Sequence, residues 1–349
     1  MFSIFSDRSF LASPSTPHAV ILAPFWGTNP EPPGDPDNGR FDRYAEVGDA
    51  FLRLAPLEEC DVGVFPQNWE SAGEQAAELA DRFSAVCRDA GKPTVVFHGA
   101  DSTDALPVEA VVLRTSLLRS QRQPNEFATP AWSADFLERY AGGTVRPRKK
   151  LTRPVVGFCG NTMAGAPAKP FAQTLRSGLL RRPPNATRDL PGDHPRTLAL
   201  RALGRDSRLR SNFTLRGEFW GGAAGNSAGL ARVRREYVQN MLQSDYVLCA
   251  RGIGNFSYRL YETLSLGRIP IFVDTDCVLP LESEIDWRDY CVWVAADDLD
   301  RIGDRVIEFH ESLDESAFEE RQRACRNLWE TRISPQGFFA SFHRHFEPA

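Results

Sequence analysis

The sequence predicts an α/β protein made of two successive Rossmann-like, doubly wound domains. Its 349 residues exceed what a single hydrophobic core usually supports. Short apolar runs alternate with helical patterns along the chain, and these β-branched runs are not broken by polar residues, which is typical of strands buried in a parallel sheet. A Gly-, Pro-, Arg- and Lys-rich stretch from Gly142 to Pro154 separates two such series, so we predict domains over 1–148 and 149–335.

In the N-terminal domain four apolar runs predict strands, at residues 19–23, 62–65, 94–97 and 110–113. Between the second and third runs we predict a helix over 71–89, because Leu79, Phe83 and Val86 fall on one face at spacings of four and three. Gly91 is the expected stop of this helix.

In the C-terminal domain the predicted strands are 155–158, 211–216, 246–249 and 269–273. Helices are predicted over 168–180, 230–243 and 257–267, and we expect one or two further helices over 315–345. We expect 336–349 to be a helix, and one place for it is against the N-terminal domain. Ligands of such sheets bind beyond the carboxyl ends of the strands, so residues directly after strands are the candidates for a site.

Composition argues against several classes of protein. A net charge of −5 and a pI near 5.8 give no basic surplus for binding nucleic acid. We find no apolar run of transmembrane length and no signal-peptide pattern, so we expect a cytoplasmic protein. The seven cysteines are scattered and form no CxxC pair, so neither a disulfide framework nor a zinc site is expected.

The segment Ser244–Trp287 is the most informative part of the chain. A predicted strand there leads into a loop with Gly252 and Gly254, which would let the backbone bend tightly and approach a ligand. Asn255 and Ser257 then precede a helix, whose free N–H groups and dipole suit phosphate.

Three charged residues in this segment fit a nucleoside diphosphate. Arg251 in the loop and Arg259 in the helix could each offer forked hydrogen bonds to phosphate. Glu262, three residues after Arg259, could accept both hydroxyls of a ribose. The alternative is that Arg259 and Glu262 form only a surface ion pair, the commoner role of such a pair.

The stretch YVLCARGIGNFSYRLYETLSLGRIPIFVDTDCVLPLESEIDW resembles the C-terminal signature of the exostosin-like glycosyltransferases. The shared pattern is an apolar strand, Cys-x-Arg-Gly, Ser-x-Arg with a following Glu, a small-residue turn, Pro in an Ile/Val-rich strand, then Leu-Pro and Trp. Residues 154–161, PVVGFCGN, resemble the strand that opens the same domain, and a weaker resemblance covers 150–335. Residues 1–140 show no strong match.

This resemblance implies a GT-B fold, in which two Rossmann-like domains face a central cleft and the C-terminal one binds a nucleotide-sugar. It implies inverting transfer without a metal or cofactor, with UDP as the favoured nucleotide. The membrane anchor and cysteine pairs of animal and plant members are not found, which favours a bacterial-type enzyme that acts on a glycan or lipid-linked saccharide in surface polysaccharide synthesis. The donor-binding set carried over is Asn161, Arg251, Gly252, Gly254, Asn255, Ser257, Arg259 and Glu262.

An inverting transfer requires a general base, which we expect from the N-terminal domain. His98 and Asp101 follow the predicted strand 94–97 and are the candidates, unless His98 only closes the strand end and Asp101 belongs to an N-cap cluster. Trp26 and Trp220 could bind the acceptor sugar through their aromatic faces, or Trp26 could simply order a surface loop and the Trp220 segment form a turn.

Other interpretations have less support. Asp274-Thr275-Asp276 is the only close acidic pair that could hold a metal, and we expect none there. A dinucleotide-dependent oxidoreductase would need a G-x-G-x-x-G motif, which the sequence lacks. The alternative that stays open is a non-catalytic protein of the same fold that binds nucleotide-sugar or glycan. The basic linker residues Arg146, Arg148, Lys149 and Lys150 could contact the inner face of a membrane, or simply be solvated.

Overall fold

The computed structural model of the chain describes residues 1–32, 34–163, 193–217 and 227–346. In these ranges the strands form two sheets, one of six strands and one of five, and every pairing between strands is parallel. The predicted α/β class with two Rossmann-like sheets, in the GT-B arrangement around a cleft, is confirmed.

The first sheet lies in the N-terminal part of the chain. Its strands are β1 (Phe2–Phe5), β2 (Leu52–Leu54), β3 (Val62–Asn68), β4 (Thr94–His98), β5 (Val111–Arg114) and β6 (Glu126–Ala128), in the order β2-β1-β3-β4-β5-β6. The helices are α1 (Ala23–Trp26), α2 (Asp42–Val47), α3 (Ala76–Asp89) and α4 (Phe136–Ala141). Strands β3 and β4 are buried almost throughout, as the unbroken apolar runs predicted.

The predicted strand over 19–23 is wrong. Val20–Leu22 forms a 3-10 helix that continues into α1. The place beside β3 is filled by β1 instead, which pairs with Val62 and Gly63. Pro24 lies in the first turn of α1, where its missing N–H breaks no helical hydrogen bond. The apolar run is therefore buried as a helical turn.

Helix α3 confirms the predicted helix but turns a different face inward. A 3-10 segment, Trp69–Gln75, precedes it, so the α-helix begins later than predicted. Phe83 and Cys87 are buried, whereas Val86 is 38% exposed. Packing on the first sheet determines which face of α3 is buried, because the Cys87 side chain lies against the backbone of Gly63 in β3.

The second sheet follows the linker. Its strands are β7 (Val155–Asn161), β8 (Arg210–Arg216), β9 (Tyr246–Cys249), β10 (Ile269–Asp274) and β11 (Val292–Ala295), in the order β11-β10-β9-β7-β8. The helices are α5 (Pro195–Arg205), α6 (Ser227–Leu242), α7 (Tyr258–Ser265), α8 (Ile302–Ser312), α9 (Glu315–Leu328) and α10 (Pro335–Ala340). The four predicted strands are confirmed, and the predicted helix over 168–180 lies outside the described residues.

The last helical segments that the structure describes pack on the N-terminal domain. The ring of Phe339 in α10 lies 4.7 Å from that of Tyr44, and Phe342 lies 5.9 Å from Phe2. Between the sheets, residues 144–154 form neither helix nor strand. The linker is held to the second domain, because Arg148 donates to Asp245 at 2.6 Å.

Candidate functional site

A cavity of about 500 Å³ lies between the two sheets, at the carboxyl ends of their strands. Its C-terminal-domain wall includes the ends of β7 and β8, the loop after β9, the first turns of α7, and residues of α5 and α6. The N-terminal domain contributes Asp101, which follows β4, and a loop that carries Asp35, Asp37 and Arg40. This is where ligands bind in doubly wound sheets, and its size suits a nucleotide-sugar.

Arg259 of α7 is buried in this wall, as the donor-site prediction requires. Its guanidinium lies 4.3 Å from the ring centre of Phe158 and donates to the carbonyl of Cys159 at 3.0 Å. The adjacent Gly160 has φ 146°, and a Cβ there would lie 2.9 Å from Arg259 Nη2. Glycine at this position therefore makes room for the guanidinium at the end of β7.

Arg196 is the site residue that sequence reasoning missed. It lies in the first turn of α5 and donates from Nη1 to Asn161 O at 3.1 Å and from Nη2 to Ala250 O at 2.9 Å. It thus joins the ends of β7 and β9. The available signal was His194-Pro195, a cap followed by proline at the first helical position, directly before an apolar helical pattern.

Arg196 and Arg259 form an unusual pair of buried positive charges. They are 7% and 8% exposed, and the described residues provide no carboxylate ion pair for either one. The Nε atom of each has no hydrogen-bond partner in the described part of the chain. Burial, and then the charge of Arg259, lower the pKa of Arg196 to about 9. A bound anion would offset both the cost of burying these two positive charges and the repulsion between them, so this wall is suited to phosphate.

Glu262 is buried in the same cavity but is already strongly hydrogen-bonded. Its Oε1 accepts from Ser133 Oγ at 3.0 Å and from Arg234 Nη1 at 3.1 Å, and its Oε2 accepts from the Tyr237 hydroxyl. No ion pair to Arg259 is found among the described residues, so the surface-pair alternative is wrong. A carboxylate has about four acceptor positions, so Glu262 has room for one ligand hydroxyl rather than two.

The loop before α7 divides the remaining predicted donor residues into two groups. Gly252, Gly254 and Ser257 line the cavity, as does Asn161 at the end of β7. Arg251 is half-buried but is not part of the cavity lining, and burial lowers the pKa of its guanidinium.

Asn255 has a structural position. Its backbone N–H donates to Ser116 Oγ at 2.9 Å, its amide donates to Leu117 O at 3.1 Å, and its Oδ1 accepts from Thr275 at 2.7 Å. Asn255 therefore fastens the loop to the N-terminal domain instead of facing a ligand.

Neither glycine of this loop is required by backbone conformation, because neither has a positive φ. A Cβ on Gly254 would overlap Asp101 Oδ1 and lie 2.5 Å from the Phe256 ring, whereas one on Gly252 would meet Arg196 at an ordinary 3.5 Å. Gly254 thus allows the carboxylate of Asp101 to approach the loop across the cleft.

The structure separates the two candidate bases. Asp101 is exposed, lines the cavity, and its carboxylate has no hydrogen-bond or ion-pair partner in the described ranges. His98 is 5% exposed and is not part of the cavity lining; its Nδ1 lies 3.1 Å from Glu70 Oε2. Glu70 also accepts from the backbone N–H of Gly99. His98 with Glu70 therefore shapes the turn after β4, while Asp101 faces the cleft.

Of the two predicted acceptor aromatics, Trp26 is not part of the cavity lining. Trp26 packs edge-on against His18 at 5.5 Å and under the guanidinium of Arg8 at 4.6 Å, which is the loop-ordering alternative. Trp220 lies outside the described residues.

The acidic pair Asp274 and Asp276 is used within the structure. Asp274 accepts from Cys277 N at 3.0 Å, and Asp276 accepts from the backbone and hydroxyl of Ser120 across the domains. The described residues contain no group of three or more His, Cys, Asp or Glu side chains placed to hold a metal. No helix within the described ranges is long and apolar enough to cross a membrane.

Two parallel sheets with helices, facing a central cleft, are the GT-B class of fold, and comparison with known proteins identifies a domain in the second half of the chain. Residues 208–308 match the family model described as the exostosin GT47 domain. The probable glucuronosyltransferase GUT1 of Oryza sativa subsp. japonica is 35% identical over 66 residues, which are 19% of this chain and 16% of the rice protein. Exostosin-1 of Drosophila melanogaster is 37% identical over 60 residues, 17% of this chain and 8% of the fly protein.

A crystal structure of a glycosyltransferase from Rickettsia africae ESF-5 aligns over 100% of this chain and 99% of that chain, with 9% identity and a TM-score of 0.39. Residues 208–308 carry an exostosin GT47 domain, and the matched relatives are named glucuronosyltransferase and exostosin, which confirms the resemblance. The aligned stretches cover only 16% of the rice protein and 8% of the fly protein.

Proposed function

We propose that the chain is an inverting glycosyltransferase that moves a sugar from a nucleoside-diphosphate donor, with UDP as the favoured nucleotide, to a hydroxyl of a glycan or lipid-linked acceptor. The observation that carries this proposal is the pair of buried guanidinium groups, Arg196 and Arg259, in the wall of the cleft. Neither forms a direct ion pair with a carboxylate among the described residues, although the charge of Glu262 acts on Arg259, and a diphosphate would add negative charge beside both.

The geometry supports a division of labour between the two domains. As the glycosidic bond to the diphosphate breaks, negative charge develops on the leaving group, and two fixed guanidinium groups in a buried wall can stabilise it. They supply the positive charge that the metal-independent mechanism requires. On the opposite side, Asp101 can take the proton from the attacking hydroxyl. Glu262 would accept a hydrogen bond from one hydroxyl of the nucleotide ribose.

The names of the relatives and the contacts of the linker bear on the donor sugar and on the cellular setting. Two rice relatives are named probable glucuronosyltransferases, so a UDP-hexuronate belongs in the first panel of donors. We propose a cytoplasmic enzyme of surface polysaccharide synthesis. Peripheral contact with a membrane through the linker has less support, because Arg148 and Lys150 bond within the protein and leave Arg146 and Lys149 exposed.

Titration calorimetry with UDP, GDP, CMP and their sugar conjugates, with magnesium and with chelator, tests the proposal. We expect one nucleotide to bind, and Arg196→Gln or Arg259→Gln to weaken it by about tenfold or more, since hydrogen bonds to charged groups contribute about 1.5–3 kcal/mol. Arg235→Gln, an exposed neighbour on α6, is the charge-matched control.

Binding alone does not establish transfer. Release of the free nucleotide from its sugar conjugate, measured with and without a mixture of glycan acceptors, separates an enzyme from a binding protein. Tight nucleotide-sugar binding without any release would favour the non-catalytic alternative. Equal nucleotide affinity in both arginine variants and in the wild type would refute the phosphate assignment.

A further inference from the structure

The mouth of the cavity exposes large apolar side chains. Ile253 is 51% exposed and Tyr258 is 49% exposed, and both line the cavity. They lie within six positions of each other, on the loop before α7 and at its first residue. Phe256 lies between them in the sequence, and its ring centre is 5.5 Å from that of Tyr258. These three side chains, Ile253, Phe256 and Tyr258, are called the apolar lip.

Exposure of this kind within a cavity indicates a ligand. Single exposed apolar residues are common on protein surfaces, but a cluster inside a cleft that is otherwise lined by charged groups is not explained by chance exposure. The rings of Phe256 and Tyr258 meet at an interplanar angle of 66°, so the apolar lip is formed by one ring face and one ring edge.

Polar groups of the N-terminal domain lie opposite the lip. The backbone of Gly254, within the same loop, is in close approach to the carboxylate of Asp101. The Tyr258 side chain is partly buried in the cavity, which raises the pKa of its phenol; the charge of Arg40 lowers this pKa, and those of Glu262, Asp37 and Asp101 raise it. An apolar surface thus faces carboxylate and guanidinium groups across a narrow space.

A pyranose ring has matching chemistry. Its C–H faces pack on aromatic and aliphatic side chains, and its hydroxyls donate to carboxylates and accept from guanidinium groups. We infer that the apolar lip, with Tyr258 as its principal residue, is the platform on which the acceptor's sugar ring packs, so that an acceptor hydroxyl points toward Asp101. This inference rests on the proposed function, since it names the acceptor side of the same cleft.

The position of the lip favours the acceptor over the nucleotide. The phosphate-binding pair Arg196 and Arg259 lies at the ends of β7 and β9, on the wall of the second domain. The charges close enough to act on the Tyr258 phenol are those of Arg40, Asp37 and Asp101 of the first domain and of Glu262 of the second. Carboxylates in that position suit a hydroxyl-bearing ring and would repel phosphate.

Saturation-transfer NMR with methyl glycosides of glucose, galactose and xylose as probes tests this inference on the full chain. We expect at least one glycoside to bind the wild type, Tyr258→Phe to retain its affinity within about twofold, and Tyr258→Ala to weaken it by about fivefold or more, as the loss of a packed ring implies. Ile253→Ser should weaken it by a smaller factor. Val86→Ser, an exposed apolar residue of α3 outside the cavity, is the control.

The same variants are titrated with UDP, and each should retain the wild-type nucleotide affinity within about twofold, which also shows that they fold. If Tyr258→Ala binds glycoside as well as the wild type does, or if no glycoside binds the wild type, the inference is wrong. If Tyr258→Ala loses UDP affinity but keeps glycoside affinity, the lip holds the nucleobase and the inference is again wrong. If glycoside binding requires Tyr258 but no nucleotide-sugar is turned over, the acceptor platform stands and the transferase proposal fails.

Discussion

Asp101 occupies the place that a catalytic base needs, because its carboxylate faces the cleft and no side chain of the described residues pairs with it. We predict that Asp101→Asn lowers kcat by about 10²- to 10⁴-fold, the usual range for general-base catalysis, and leaves nucleotide affinity within about twofold. Asparagine keeps the shape of the side chain but cannot accept the proton. Steady-state kinetics and calorimetry on one preparation measure both quantities.

His98 provides the comparison for this prediction. It is buried against Glu70 and lies outside the cavity lining, so His98→Gln should reduce turnover less than Asp101→Asn does. Its effect should appear as lower thermal stability of the turn after β4. A larger loss of kcat in His98→Gln than in Asp101→Asn would move the base back to the histidine.

His194 links pH to stability. Its Nδ1 accepts from Arg196 N at 3.2 Å and its Nε2 donates to Gly252 O at 3.1 Å, and burial lowers its pKa to about 4. Between about pH 4 and 6.5 the unfolded chain binds a proton that the folded chain does not, so the stability that neutral His194 contributes is full above pH 6.5 and is lost toward pH 4.

We therefore predict that the Tm falls less steeply between about pH 6.5 and pH 4 in His194→Asn than in the wild type. Asparagine still caps α5, because it is a favoured N-cap residue, but it does not titrate. Calorimetric scans across this pH window measure the slope, which is independent of any uniform loss of Tm from the missing contact to Gly252. Identical slopes would show that His194 stays charged or does not contribute.

At the scale of elements, the loop between β9 and α7 lies between the proposed phosphate-binding wall and Asp101, the candidate base. Gly254→Ala should lower turnover by about tenfold or more, because its Cβ would overlap Asp101 and force the loop or the carboxylate to move. Gly252→Ala should cost less, since its Cβ would meet only Arg196 at an ordinary distance. Kinetics of the two variants side by side check this ranking, and equal losses would contradict it.

Elements with a strong local pattern could be predicted from sequence, and weakly patterned ones could not. Strands β3, β4, β9 and β10 each contain a short, largely apolar run, so the sequence alone predicts a strand there. β6 holds Glu126, which is buried only because Arg114 of β5 pairs with it at 2.7 Å. The sequence of β6 contains no apolar run from which a strand could be predicted, and the strand forms beside β5, whose Arg114 pairs with Glu126.

At the scale of the whole molecule, one arginine joins the two domains across the cleft. Arg234 of α6 is 3% exposed and donates to Asp37 at 2.6 Å and to Glu262 at 3.1 Å. Its removal would leave two enclosed carboxylates without their counter-charge. We predict that Arg234→Met lowers the free energy of unfolding by about 3–5 kcal/mol, the usual cost of breaking a buried ion pair.

Urea denaturation measures this change, with the exposed Arg235→Met as control. Because the cost comes from uncompensated charge, adding Asp37→Asn and Glu262→Gln to Arg234→Met should restore part of the lost stability. No recovery in the triple variant would show that Arg234 acts through packing, for which its contact with the Phe136 ring at 5.1 Å is the candidate.

The sequence by itself determined the class of fold and the resemblance of Ser244–Trp287 to the exostosin-like glycosyltransferases, because buried parallel strands and the Ser-x-Arg-x-x-Glu pattern are local signals. Tertiary structure decided which residues share the cleft. Arg196 is about 60 residues from Arg259 in sequence, and only the pairing of β7 with β9 brings their guanidinium groups to one wall. Glu262 looked free for two ribose hydroxyls until Ser133 and Arg234 filled its oxygens. Long-range contacts of this kind depend on the closed geometry of two domains, which no local pattern encodes.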